Sequence, residues 1–96
     1  MHKNELIRQV ALQTDVPHRT VARVVNEMLR TITDEVGHGR RVVLTGFGTF
    51  ELRERSARRG VDPRTGTDIT VPATRTPGFT SSATFKQRVQ PAPAED

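Results

Sequence analysis

RERSARRGVDPRTGTDITVPATR, residues 53–75, is the stretch whose reading decides the fold. It sets Arg53, Arg55, Arg58, Arg59, Arg64 and Arg75 around a turn between Gly60 and Gly66. Its apolar side chains are few: Leu52 just before it, Val61 on the outward limb, Ile69 and Val71 on the return. A β-ribbon with so little to bury is not the middle of a core strand, and it needs another surface to lie against. Six arginines against Glu54, Asp62 and Asp68 select phosphate as that surface, because cations that neutralise phosphates gain free energy by releasing condensed counterions. The stretch reads as a DNA-binding arm held out from a small body.

Within the arm, strand alternation puts Arg53 and Arg55 on one side and Glu54 on the other. At about 3.3 Å per residue, an unbroken strand from Arg53 to Asp62 would reach roughly 30 Å. Asp62, Pro63, Thr65 and Gly66 supply turn chemistry, and Thr67–Thr74 is expected to return as a β-rich strand. Pro72 cannot donate to a ladder, which is tolerable in a two-stranded ribbon where its nitrogen faces outward.

Upstream, Arg41–Thr45 is rich in Val and Leu, and Phe50 and Leu52 resume a period of two, so two strands turn near Gly46. Phe47 and Phe50 are read as core packing. The glycines flanking Phe47 lack the spacing of a nucleotide fingerprint, and no helix follows them. Before these strands lie two helices. Leu6, Ile7, Val10 and Ala11 give the first, from Asn4 to about Gln13, with Asn4 as candidate cap. Thr14, Asp15 and Val16 interrupt it, and Pro17 fits the first turn of the second. Val21, Val24, Val25, Met28, Leu29, Ile32 and Val36 follow at spacings of three and four, and that helix ends at Gly37 or Gly39. A helix-turn-helix reader would carry polar side chains along one exposed face. Here Arg19, Arg23 and Arg30 interleave with Glu27 and Asp34, the pattern of a solvated helix face.

Downstream of the arm, Thr76–Thr80 is expected as a short strand or a bend back to the body. Ser81 or Ser82 then caps a short helix containing Phe85 and Val89. Residues 91–96 form a Pro/Ala tail with an acidic end and no periodicity, expected to be disordered.

Composition bounds what such a chain can be. Ninety-six residues make one domain, read as 1–90 with the arm at about 53–75, and 33% apolar content is low for a body that buries a core alone. An oligomer, most simply a dimer, supplies the missing burial. Fifteen Lys and Arg against 11 Asp and Glu give +4, and a pI of about 11.0 suits nucleic acid or another anionic surface. Thirteen of the cations are Arg, a planar donor fork where Lys is a point charge. No cysteine is present, which excludes disulfide and thiolate chemistry. The first ten residues are interrupted by His2, Lys3, Glu5 and Arg8, and no apolar run approaches a membrane span. A soluble, cytoplasmic protein is expected, with no membrane partner.

The order of helix, helix, strand pair, basic hairpin and short helix, read with Gly46-Phe47-Gly48-Thr49-Phe50, resembles the bacterial HU and integration host factor family, the type II DNA-binding proteins, with HU the nearer. The likeness runs through Lys3, Leu6, Ile7, Arg55, Arg58, Gly60, Pro63, Thr65-Gly66, Pro77, Phe79 and Lys86, over roughly residues 1–90. HU and integration host factor are standing examples of minor-groove architectural binders. The resemblance implies an α+β fold: an N-terminal helical hairpin, a small antiparallel sheet with a protruding β-ribbon arm and a short C-terminal helix, two chains intertwining into a dimer. It implies a nucleoid-associated protein that bends and compacts double-stranded DNA with little sequence preference. Pro63 matches the proline that wedges between base pairs. Arg53, Arg55, Arg58, Arg59, Arg64 and Arg75 would contact phosphates or the minor-groove floor, and Lys3 and Lys86 the DNA along the body. The chain departs from the pattern at Val61-Asp62-Pro63, where the family usually has Arg-Asn-Pro, at Ala83, often Lys, and at Pro17, usually a polar cap. Asp62 is expected to be repelled by phosphate, which would weaken binding or alter the preferred DNA.

The sequence leaves other readings open. The protein could be a sequence- or structure-selective bender of the integration host factor type. It could instead be a dimeric coating, bridging or RNA-binding module that has lost its wedge; against RNA, the chain has no Tyr or Trp and keeps its four Phe outside the arm. A heterodimer with a paralogue is also open. An enzyme is not expected: His2, His18 and His38 are scattered, lack metal-ligand spacing and read as surface or cap residues, and no nucleophile, base and acid arrangement is suggested. No cofactor, metal or small-molecule substrate follows from the sequence.

Overall fold

A computed structural model describes residues 1–91, so five residues of the Pro/Ala tail, 92–96, lie outside it. The chain runs α1 (Lys3–Thr14), α2 (His18–Gly37), β1 (Val42–Leu44), β2 (Gly48–Arg55), β3 (Arg58–Val61), β4 (Asp68–Val71), β5 (Thr74–Ser81) and α3 (Ala83–Arg88). The expected α+β order of two helices, antiparallel strands with a long hairpin and a short last helix is the one observed.

The chain divides into two compact units, the first ending at Glu35 and the second beginning at Val36. In the first, α1 starts one residue before the expected position. Its N-cap is His2, whose side chain makes no capping bond, and Asn4 lies inside the helix. Leu6 N–H donates to the His2 carbonyl at 2.9 Å, so backbone alone begins the helix. The helix stops at Asp15, which takes a left-handed conformation (φ 55°) and returns its N–H to the Ala11 carbonyl. Pro17 sits just before α2 and not inside its first turn: its carbonyl accepts from Val21 N–H at 3.1 Å, the role of a cap residue. Ile7 and Val21 are the buried apolar residues of this unit.

In the second unit, β1, β2 and β5 form an antiparallel sheet with β2 in the middle. The β1–β2 turn falls at Gly46, and Phe47 N–H donates to the Leu44 carbonyl at 2.9 Å. All four phenylalanines gather in one cluster: Phe79 lies 4.9 Å from Phe50 and 5.3 Å from Phe47, and Phe47 lies 5.2 Å from Phe85, between ring centroids. Gly48 makes this possible. A Cβ there would sit 2.5 Å from ring carbons of Phe79 and 2.6 Å from the Thr80 carbonyl. Ser82 caps α3, its Oγ accepting from Phe85 N–H at 3.1 Å, and its own N–H donates to the Phe47 carbonyl at 2.9 Å. The short helix is thereby tied to the turn before β2. Lys86 and Arg88 stand in its last turn, where cations favour the helix dipole.

The expected core is only partly closed. Of the apolar stripe on α2, Val21 and Val36 are buried, whereas Val24, Met28 and Leu29 are exposed, Val24 at 61%. Phe47, expected in the core, is 44% exposed despite its ring contacts.

Candidate nucleic-acid interface

The candidate arm is one long hairpin interrupted once. β2 pairs with β5 from Gly48↔Ser81 to Arg55↔Thr74, and β3 pairs with β4 from Arg58↔Val71 to Val61↔Asp68. Two residues are skipped on each limb, Ser56-Ala57 and Pro72-Ala73, so the register is the same on both sides of the gap. The unbroken strands expected for Arg53–Asp62 and Thr67–Thr74 are therefore each split. Pro72 has no N–H to donate and lies at the lapse of the ladder. Thr76–Thr80, expected as a short strand or bend, is instead part of the eight-residue β5. That strand is at the edge of its sheet, where Pro77 is tolerated.

Pairing and alternation assign the faces of the sheet. Phe50, Leu52 and Glu54 share the face that meets Phe79, Pro77 and Arg75; Thr49, Glu51, Arg53 and Arg55 share the other with Thr80, Gly78, Thr76 and Thr74. On this second face Glu51 stands 3.8 Å from Arg41 and 4.0 Å from Arg53. Arg53 crosses over Gly78, where a Cβ would collide with its side chain, and its Nη2 donates to Thr80 Oγ1 at 3.5 Å. Neither Arg41 nor these threonines is among the site residues expected from the sequence. The signal was the Thr49, Glu51, Arg53, Arg55 alternation.

Arg75 is held differently. Its Nε lies 3.4 Å from Glu54 Oε1, and its Nη2 donates to the Gly37 carbonyl at 3.3 Å. That carbonyl belongs to the last residue of α2, where unsatisfied acceptors and the negative end of the helix dipole favour a cation. Arg75 thus fastens the base of the hairpin to the end of α2.

At the tip, Asp62 N–H donates to the Thr67 carbonyl and Gly66 N–H to the Asp62 carbonyl, both at 2.8 Å. Gly66 has φ 70°, a conformation that favours glycine. The Thr65 and Thr67 hydroxyls are 2.6 Å apart. Asp62 Oδ1 accepts from Arg64 N–H at 2.9 Å and lies 3.8 Å from Arg64 Nε. Pro63 is exposed on this turn. The Asp62 carboxylate, expected to be repelled by phosphate, is turned into the loop with its side chain 23% exposed.

The hairpin therefore collects Arg53, Arg55, Arg58, Arg59, Pro63, Arg64 and Arg75 on one structural element. Its arginines divide into two groups. Arg53, Arg64 and Arg75 have protein partners, whereas the side chains of Arg55, Arg58 and Arg59 are exposed with none among the described residues. Lys86 is exposed on α3 in the same unit; Lys3, also exposed, opens α1 in the other. Residues 53–75 hold six Arg against three carboxylates, a net +3. Among the described residues, no group of three or more His, Asp or Glu is placed to hold a metal ion, and no helix is long and apolar enough to cross a membrane.

Three helices, a three-stranded sheet and an arginine-lined hairpin define an α+β protein with a cationic ribbon. The family model described as bacterial DNA-binding protein matches residues 1–90, and the chain belongs to that family. It is similar to DNA-binding protein HU-1 of Halalkalibacterium halodurans, 42% identical over 94% of this chain and all of the relative, and to DNA-binding protein HU of a Nostoc species, 40% identical over 98% of this chain and all of the relative. Among solved structures, an HU–DNA cocrystal structure from Anabaena matches with a TM-score of 0.81 at 40% identity, covering 96% of this chain and all of the other. HU from Thermotoga maritima matches with a TM-score of 0.67 at 26% identity, over 94% of this chain and all of that one.

Proposed function

We propose that this protein is a homodimeric architectural factor of the cytoplasmic nucleoid, with residues 1–90 as its DNA-binding domain. It binds double-stranded DNA with little sequence preference, lays its arms in the minor groove, and bends the duplex with Pro63 as the wedge. The observation that carries this reading is the set of guanidinium groups at Arg55, Arg58 and Arg59, unpaired among the described residues and displayed on a hairpin that buries almost nothing. Arginines without a protein counterion are free to displace condensed cations from a phosphate backbone. The Anabaena relative, 40% identical, was crystallised with DNA, which supports the same partner here. Opening a base step costs a few kcal/mol, offset when the bent duplex meets more of the basic surface.

The dimer rests on the uncovered apolar surface. Val24, Met28 and Leu29 on α2 and Phe47 beside its ring cluster are each more than 40% exposed, and burying such a side chain contributes about 1.5–3 kcal/mol. A second copy covers these groups with surface of the same kind, as closed two-fold assemblies do.

The test is a fluorescence-anisotropy titration of several unrelated duplexes of equal length at stepped salt concentrations. Similar affinities with a steep, common salt dependence are expected. A preference of 100-fold for one duplex would replace this reading with a sequence-selective bender, and absence of binding at low salt would end it.

A further inference from the structure

The tip of the hairpin carries an anion where a DNA-inserting element should least tolerate one, and the geometry around it gives that anion a task. Asp62 Oδ1 accepts the Arg64 backbone N–H at 2.9 Å, while the Asp62 backbone makes two further bonds at 2.8 Å, to Thr67 and Gly66. Both main-chain groups and the side chain of this one residue thus hold the loop that contains Pro63. An aspartate immediately before proline is well suited to this, since its side chain can satisfy an N–H two residues on while proline fixes the intervening φ. The same carboxylate lies 3.8 Å from the Arg64 guanidinium, whose side chain is otherwise 89% exposed.

We propose that Asp62 is a positioning residue for the wedge: its carboxylate locks the turn that presents Pro63, and at the same time serves Arg64 as an internal counterion, so that the tip enters DNA without net charge. This inference rests on the DNA-binding reading above. Its consequence is that Arg64 contributes little to the salt dependence of binding, which falls to Arg55, Arg58 and Arg59. Val61, 61% exposed on the strand that leads into the turn, then adds apolar surface beside the tip without an unbalanced charge to desolvate with it.

Two substitutions separate the two roles. Asp62→Asn keeps an acceptor oxygen and removes the charge; Asp62→Ala removes both. With the full chain and a duplex carrying a dye at each end, Asp62→Asn should bend DNA as the wild type does. Freeing Arg64 for a phosphate should steepen its salt slope by about 0.9 per arm and about 1.8 for the dimer, so that raising salt fourfold weakens it roughly 12-fold more than wild type. Asp62→Ala should lose most of the end-to-end shortening while still binding. Amide hydrogen exchange at Arg64, measured without DNA, should be faster in Asp62→Ala and unchanged in Asp62→Asn. An Asp62→Ala protein that bends normally, an Asp62→Asn protein whose salt slope does not move, or equal Arg64 exchange in all three proteins would overturn the proposal. If the wild type bound no DNA, the functional reading would fail by itself, and the positioning claim would be decided by the exchange rates at Arg64.

Discussion

Replacing Arg55, Arg58 and Arg59 by Ala, one at a time and together, should reveal where the phosphate contacts are, with Arg75→Ala as the contrast. The first three side chains have no protein partner among the described residues, while Arg75 is held by Glu54 at 3.4 Å and by the Gly37 carbonyl at 3.3 Å. Each phosphate neutralised contributes about 0.9 to the slope of log affinity against log salt. In a dimer, losing one arginine from both arms should therefore flatten the slope by about 1.8, and losing all three by about 5.4. Between about 50 and 200 mM salt a change of 1.8 corresponds to roughly a 12-fold difference in how much affinity is lost. Anisotropy titrations at five or six salt concentrations resolve a difference of that size. Arg75→Ala should leave the slope within about 0.5 of wild type, and should lower thermal stability, because it strips a carbonyl and a carboxylate of their partner. If Arg75→Ala flattened the slope as much as Arg55→Ala, the division of the arginines into anchored and free groups would be refuted.

Three further outcomes are expected. Gly48→Ala should destabilise the fold by about 1–3 kcal/mol, since its new Cβ meets the Phe79 ring and the Thr80 carbonyl, whereas Gly37→Ala, with nothing within 4 Å of the added methyl, should not; thermal melts of both check this. Met28→Glu places a charge on the exposed apolar stripe of α2 and should shift the protein from dimer to monomer at micromolar concentration, read by light scattering; an unchanged mass would put the subunit contact elsewhere. Pro63→Ala should reduce DNA bending more than attachment, and an unchanged bend angle would make Pro63 a turn residue only.

The helices, the turn at Gly46 and the Ser82 cap were legible in the sequence because each depends on local signals: apolar spacing, a glycine after a short Val/Leu run, a serine before a helical segment. Asn4 misled because capping preference ranks residue types, while here α1 begins on backbone bonds from His2. Pro77 and Gly78 suggested a bend because neither favours a strand interior, yet edge position tolerates the proline and Arg53 occupies the space above the glycine. Pro72 taken alone is compatible with a continuous ribbon through its outward nitrogen, and the lapse at Ser56-Ala57 and Pro72-Ala73 is defined only by the register. For the interface, the concentration of arginine was plain, but its division was not. The bond from Arg75 to Gly37 spans 38 residues, and no spacing rule connects them. Asp62 carries two signals in the sequence, its charge and its place in the turn directly before Pro63, and the bond it accepts from Arg64 N–H is the one the turn signal implies.

The central claim, that the hairpin bends DNA through free arginines and an organised tip, is tested most directly by one titration. A short duplex with a donor and an acceptor dye at its ends is mixed with the protein at several salt concentrations, and affinity and end-to-end distance are read from the same samples. The account predicts that binding and shortening rise together and fall together as salt increases. Salt-sensitive binding that leaves the ends as far apart as in free DNA would contradict it.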